Sequence, residues 1–119
     1  MTNCIFCDII AKIAPAEIHY VDDQCMVITT NNPFAPVHLL VIPCKHITSL
    51  NDMTSADETL AGHLLLTAKL MAEKMGIAEK GYRVAINTGK GGGQTVFHLH
   101  VHLLGGKPMD DALLSRGIA

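Results

Sequence analysis

His98, His100 and His102 form a row of residues that can do chemistry, because a single apolar residue separates each from the next. Such alternation predicts a half-buried strand with the three imidazoles on one face, about 6.5–7 Å apart. The opposite, core-facing side would carry Phe97, Leu99, Val101 and Leu103. Imidazoles need hydrogen-bond partners and titrate near neutral pH, so three in register have no packing rationale. The row therefore predicts a functional site.

A glycine-rich loop comes directly before this row, where residues 87–95 read NTGKGGGQT. Backbone amides in a loop of this kind can surround an anion. Imidazoles beside such a loop are what chemistry on a phosphate group requires. Together the two motifs predict a site that handles a phosphate.

Two cysteines near the start of the chain, Cys4 and Cys7, have the spacing that lets two thiolates bind one metal ion or form a redox disulfide. A redox pair normally follows a strand, whereas only three residues precede Cys4. A metal site needs two further ligands, and the histidine-rich segments supply candidates. Cys25 and Cys44 are interpreted as ordinary small buried residues.

Length and composition bound the remaining possibilities. A chain of 119 residues predicts a single domain, residues 1–119, with one modest core. A net charge of −2 gives no global attraction to nucleic acid or to an anionic membrane. We expect no signal peptide and no transmembrane span, and hence a cytoplasmic protein whose cysteines stay reduced.

The predicted elements give the frame for these motifs. A short amphipathic helix follows Cys4, and apolar runs predict strands over residues 17–21, 25–29, 37–43 and 82–87. The one long helix begins at a capping box of Ser55 and Glu58 and ends at Gly76. This order predicts an α+β fold, a five-stranded antiparallel sheet with one long and one short helix. We expect the helices to cover one face and the histidines to lie in a shallow cleft on the other.

Four segments together carry a resemblance to a known family. The histidine row has the pattern His-x-His-x-His-x-x with apolar x, GGQT precedes it, Gly105 and Gly106 follow it, and PVHLLVIP lies upstream at residues 36–43. In these segments the chain resembles the histidine triad (HIT) superfamily, and most closely its Hint-like branch of bacterial nucleoside phosphoramidases. The resemblance covers essentially the whole chain.

The resemblance implies cleavage of a P–N bond in purine nucleoside monophosphate derivatives through a covalent nucleotidyl-histidine. His100 would be the nucleophile, and a neutral imidazole is competent for this near pH 7. His102 would bind phosphate oxygens and help to protonate the leaving amine, and His38 would complete a histidine relay. No catalytic metal is expected. Residues that would hold the phosphate and the leaving-group side are Asn87, Gly93, Gln94 and Thr95.

The resemblance also suggests where the nucleoside would bind. An apolar slot for the base would consist of Ile5, Phe6, Ile9 and Ile28, although these residues fit plain core packing equally well. At the ribose position the branch usually has an aspartate, whereas this chain has Thr30, followed by Asn31. A neutral side chain binds a diol more weakly than a carboxylate does.

Some bacterial relatives carry a structural zinc, which here would be bound by Cys4, Cys7, His46 and His98. Four protein ligands close the coordination shell, so such a zinc would be structural. The alternative is a pair of reduced thiols. Relatives are also homodimers with the long helix at the interface, and we expect the same here.

Three other functions stay open from the sequence. The three histidines could, with His38, bind a catalytic zinc and make a metal-dependent hydrolase or lyase. The chain could instead be a nucleotide-binding module with weak activity. Within the superfamily it could hydrolyse dinucleoside polyphosphates.

Overall fold

The strand order is the feature that positions the site. The computed structural model describes residues 3–109. Its helices and strands in chain order are α1 (Ile5–Ile10), β1 (Ile18–Val21), β2 (Cys25–Thr29), β3 (Val37–Pro43), α2 (Glu58–Lys74), β4 (Arg83–Ala85) and β5 (Val101–Gly105). All neighbouring strands pair antiparallel in the order β1-β2-β3-β5-β4. The predicted fold class is confirmed. None of the helices described is long and apolar enough to cross a membrane.

The two faces of the sheet bury different apolar sets. One face packs against α2 and includes Val27, Leu39 and Val101. The other packs against α1, where Phe6 and Ile9 form a second cluster with β2 and β3. The expectation that both helices cover one face is therefore wrong. Strands β2 and β3 are apolar without alternation, and strands of that kind need cover on both faces.

Strand β5 is shorter than the alternation predicted. It begins at Val101, so His98 and His100 lie just before it. Pro43 on the neighbouring β3 has no N–H to extend the ladder, and the N–H of Leu99 instead donates to the carbonyl oxygen of Ile47 at 2.7 Å. Phe97, which was predicted to face the core, has 47% of its surface exposed.

The start of α2 differs from the prediction by one residue. The capping box is formed by Thr54 and Asp57, and the helix proper follows a short 3-10 turn. Asp57 also forms a 2.8 Å ion pair with Lys45, which favours this capping box over the one that begins at Ser55. Gly76 ends the helix with φ +74°, as its position predicts.

A polar contact fastens α2 to the turn between β1 and β2. His63 Nε2 lies 2.7 Å from a carboxylate oxygen of Asp22, which also accepts hydrogen bonds from Tyr20 and from the N–H groups of Gln24 and Cys25. Burial opposes ionisation of Asp22, but these donors outweigh it and hold the pKa of the carboxyl well below its usual range. His63 is half-buried and structural, as predicted.

Candidate active site and metal centre

His38 and His102 form a directed pair on the α1 face of the sheet. The N–H of Phe34 donates to His38 Nδ1 at 3.1 Å, so that nitrogen carries the lone pair and His38 Nε2 carries the proton. His38 Nε2 lies 2.9 Å from His102 Nδ1 and therefore donates to it. Because Nδ1 of His102 accepts this bond, the single ring proton of a neutral His102 is on Nε2. His102 is thus held as a donor.

His100 is held in the opposite sense. Its Nδ1 lies 2.8 Å from the carbonyl oxygen of His98. A carbonyl oxygen can only accept, so Nδ1 carries the proton and Nε2 of the neutral ring carries the lone pair. The ring centroids of His100 and His102 are 5.0 Å apart, so the two rings are neighbours.

Burial keeps His38 neutral. His38 is only 3% exposed. Desolvation, and the charge of His100 as a smaller effect, lower the pKa of His38 to about 4. His38 is therefore uncharged at neutral pH, which preserves the donor direction toward His102.

The glycine loop is shaped from within by Gln94. The N–H of Gly89 donates to its side-chain oxygen at 2.8 Å, and its side-chain nitrogen donates to the carbonyl oxygens of Thr48 and Val96 at 2.8 and 3.0 Å. Gln94 is 4% exposed. Its side chain is therefore engaged inside the loop, where we had expected a contact with phosphate.

Other predicted residues of the loop lie at its surface. Gly93 has φ +83°, and a Cβ built on it would be 3.9 Å from the side-chain nitrogen of Asn87. Asn87 and Gly93 are thus neighbours, and both are partly accessible. Thr95 is exposed.

The residues predicted to bind the nucleoside are divided between core and surface. Phe6, Ile9 and Ile28 are almost fully buried in one cluster, whereas Ile5 is 47% exposed. Thr30 is half-buried and its N–H donates to the carbonyl oxygen of His38 at 3.3 Å. Thr30 therefore adjoins His38. Asn31 is exposed.

The four predicted metal ligands lie together at the start of α1. Their donor atoms, from Cys4, Cys7, His46 and His98, are all within 4.8 Å of one another. His98 Nδ1 lies 3.3 Å from the sulfur of Cys4 and 3.1 Å from Nδ1 of His46, and the sulfur of Cys7 lies 3.2 Å from that same His46 nitrogen. Ligands around a tetrahedral zinc are separated by roughly 3.3–3.8 Å, given bonds of 2.0–2.3 Å. The spacing fits such an ion.

The protonation of these ligands fits a metal as well. His98 Nε2 lies 2.8 Å from the carbonyl oxygen of Pro43, so it carries the proton and Nδ1 presents its lone pair to the cluster. Burial, partly offset by the bond to Pro43, lowers the pKa of His98. Burial and the adjacent Cys4 raise the pKa of Cys7 to about 11, so without a cation its thiol would keep its proton.

The histidine row does not converge on one point. The ring nitrogen of His98 faces the cysteines, that of His100 faces a backbone carbonyl and that of His102 faces His38. Among residues 3–109, groups with the spacing of metal ligands are the Cys4 cluster and Asp22 with Cys25 and His63. The geometry therefore gives no support to a catalytic zinc on the histidine row.

Comparison with known proteins identifies the family. The HIT domain family matches residues 11–109. The chain belongs to the HIT family. The resemblance predicted from the sequence is thus confirmed.

Individual HIT proteins are similar over nearly the whole chain. The purine nucleoside phosphoramidase of Escherichia coli K12 is 41% identical over 114 residues, which cover 96% of each chain. A HIT family hydrolase from Legionella pneumophila superposes with a TM-score of 0.90 at 42% identity, covering 92% of this chain and 97% of that one. A zinc-bound histidine triad protein from Mycobacterium smegmatis gives a TM-score of 0.76 at 31% identity, covering 96% and 94%.

Sequence reasoning missed the backbone groups of this HIT site. The N–H of Phe34 and the carbonyl oxygens of Pro43 and His98 fix the proton positions of three histidines. Backbone groups have no residue-specific signal. The prolines around the relay, at positions 33, 36 and 43, were the available hint that the local backbone is fixed.

Proposed function

We propose that the protein hydrolyses the P–N bond of purine nucleoside phosphoramidates through a covalent nucleotidyl-His100. The observation that carries this proposal is the bond from His100 Nδ1 to the carbonyl oxygen of His98, which leaves the lone pair on Nε2. The neighbouring His102 is oriented as a donor. The similarity to the phosphoramidase of Escherichia coli supports the same conclusion.

The reaction takes two displacements at phosphorus. In the first, His100 Nε2 forms a bond to phosphorus while the P–N bond to the amine breaks. The ring then carries a positive charge, which the carbonyl oxygen of His98 stabilises through Nδ1–H. In the second, a water oxygen bonds to phosphorus and the bond to His100 breaks. Overall, the water supplies the proton of the amine and the oxygen of the nucleoside monophosphate.

The remaining predicted residues position the substrate. His102 Nε2–H would donate to a phosphoryl oxygen or to the departing nitrogen, with His38 fixing its tautomer. Phosphoryl transfer depends mainly on positioning and charge stabilisation, so the loop around Asn87, Gly93 and Thr95 would hold the phosphate. Gln94 would contribute by shaping this loop.

The base and ribose would bind beside α1. Ile5 offers accessible apolar surface, and the buried Phe6, Ile9 and Ile28 would form its backing. Thr30 and Asn31 would face the ribose as neutral partners, which predicts weak discrimination at the diol.

We propose that the Cys4, Cys7, His46 and His98 cluster binds a structural zinc. Its four-ligand set and the zinc-bound relative from Mycobacterium smegmatis support this assignment. Elemental analysis of the purified protein tests it: about one zinc per chain is expected, and less than half a zinc in Cys7→Ser.

The function is tested with a fluorogenic adenosine phosphoramidate. Removing the nucleophile should lower kcat by about 10³-fold in His100→Ala, whereas His63→Gln, on the other face of the sheet, should retain activity. Quenching the wild type in alkaline denaturant, in which a P–N bond to imidazole survives, should trap a nucleotidyl adduct on His100. Activity that persists in His100→Ala would refute the mechanism. Tight binding of adenosine monophosphate without any turnover would favour a binding module.

We also propose a cytoplasmic homodimer. On α2, Leu65 and Leu66 are 52% and 66% exposed, and β4, the last strand of the sheet, exposes Val84. Exposed apolar side chains and an edge strand suit pairing with a second copy. Sedimentation velocity should show a dimer that Leu66→Asp dissociates, and a monomeric wild type would contradict the proposal. The free cysteines suit a reducing compartment.

A further inference from the structure

We propose that His98 is a positioning residue that couples the metal cluster to the nucleophile, so that the cluster sets the rate of the chemical step as well as the stability. This inference rests on the proposed function. Among residues 3–109, His98 is the residue that belongs to both arrangements. Its ring faces Cys4 and His46, and its carbonyl oxygen holds the ring of His100.

The sheet does not fix that carbonyl by itself. Pairing of β5 with β3 begins at Val101, so His98 lies outside the ladder. What holds its backbone is the bond from the N–H of Leu99 to Ile47 and the bonds of its own ring, to Pro43 and to the cluster. All of these partners belong to residues 43–47 or to the cysteines. Because His46 lies within residues 43–47 and the His98 ring contacts the cluster directly, loss of the cluster would loosen the carbonyl that orients the nucleophile.

A second route from the cluster to His100 passes through α1. Cys4 caps α1, and its sulfur accepts from the N–H of Cys7. Two residues after Cys4, the ring of Phe6 makes edge contacts with both His98 and His100, at centroid distances of 5.8 and 5.1 Å. The cluster thus determines where α1 begins, and α1 determines which wall the His100 ring packs against. The His98 carbonyl and the Phe6 ring therefore both contact the ring of His100.

The expected consequence is a change in rate constants rather than in binding. A ring that rotates away from its productive direction loses the alignment of its lone pair with phosphorus, which costs roughly 10- to 100-fold. Gln94 holds the phosphate loop through the backbone of Gly89, Thr48 and Val96, and none of these bonds is to a cluster ligand. Metal removal should therefore lower kcat and leave KM nearly unchanged.

The experiment compares zinc-loaded wild type, chelator-stripped wild type, Cys7→Ser and Cys7→His. The last variant keeps a zinc-binding donor at that position. The matched control is His63→Gln, which loses the contact to Asp22 and is distant from the cluster. All samples are measured at temperatures where circular dichroism shows them folded.

The first measurement does not depend on activity. In nitrogen-resolved NMR spectra, the Nδ1–H proton of His100 should be a sharp, slowly exchanging signal in zinc-loaded wild type, Cys7→His and His63→Gln. It should exchange at least tenfold faster in stripped wild type and Cys7→Ser. An unchanged signal in the stripped and Cys7→Ser proteins would overturn the coupling.

The second measurement is rapid-quench formation of the nucleotidyl adduct in a single turnover. The rate should fall 10- to 100-fold in the stripped protein and in Cys7→Ser, and zinc should restore the former but not the latter. A rate that is unaffected by metal removal refutes the inference and leaves the zinc with a structural role only. If no sample forms an adduct, the proposed function fails, while the NMR comparison still tests the coupling.

A third measurement tests the coupling if the protein unfolds when its metal is removed. Because the backbone of His98 joins the His100 ring to a cluster ligand, a nucleotide bound at His100 should change the ligand geometry at the cluster. The cobalt-loaded protein is titrated with adenosine monophosphate, and its visible absorption bands should shift in wild type and not in His100→Ala. Identical spectra with and without the nucleotide, at concentrations where calorimetry shows it bound, would refute the inference.

Discussion

Protonation of His38 should cost this protein stability as the pH falls. The ring is 3% exposed, and its pKa is about 4 in the folded chain against 6.5 as the ordinary value. Between these two values the unfolded chain binds a proton that the folded chain does not, so the free energy of unfolding decreases as pH decreases through this window. The full difference of 2.5 pH units corresponds to about 3 kcal/mol, of which about 2 kcal/mol is lost by pH 5.

The assay is urea unfolding of wild type and His38→Gln at pH 7, 6, 5 and 4. Glutamine can accept from the N–H of Phe34 and donate to His102 Nδ1 as His38 does, but it does not titrate. The wild type should lose about 2 kcal/mol more than the variant between pH 7 and 5. Acid release of metal affects both proteins and cancels in this difference. Parallel curves would show that His38 protonates as easily in the folded state and would refute the reasoning.

Three further substitutions, and Gly62→Ala as a control for the third, test other parts of the structure. His63→Ala should lower the free energy of unfolding by about 0.5–1.5 kcal/mol in urea titrations, because its partner Asp22 is partly exposed, and should leave hydrolysis intact. Leu64→Ala, at a 2% exposed position, should cost about 2–5 kcal/mol by the same assay. Gly93→Ala should cost about 1 kcal/mol at φ +83° and slow hydrolysis, whereas Gly62→Ala in α2, with open space around it, should be neutral or stabilising.

Patterns that depend on one element alone could be predicted from the sequence. Strands β2 and β3 have the predicted bounds, since continuous apolar runs between turn residues leave little choice. The four cysteine and histidine ligands also lie together as the family resemblance implied. The strand bounds follow from residue type and spacing, whereas the cluster could be predicted only through the family resemblance.

What could not be predicted depends on partners that are distant in the chain. The segment at residues 54–58 allows two capping boxes, and a lysine twelve positions away, Lys45, favours the one at Asp57. The face of the sheet against which α1 packs depends on which face α2 leaves uncovered. Gln94 was expected at the phosphate because its type suits an anion, but the backbone groups of Gly89, Val96 and the distant Thr48 engage its amide. Short sequence patterns do not show which distant groups will bind a given side chain.

The position of Cys4 and His98 at opposite ends of the described chain has a consequence for folding. The two residues are 94 positions apart, so a zinc that joins them would close nearly the whole polypeptide into a ring. A covalent link over such a loop removes about 4–5 kcal/mol of chain entropy from the unfolded state. Unlike a disulfide, this link is reversible, and each tenfold drop in free zinc would lower the free energy of unfolding by about 1.4 kcal/mol. The lifetime of the folded protein would then follow the zinc supply of its surroundings.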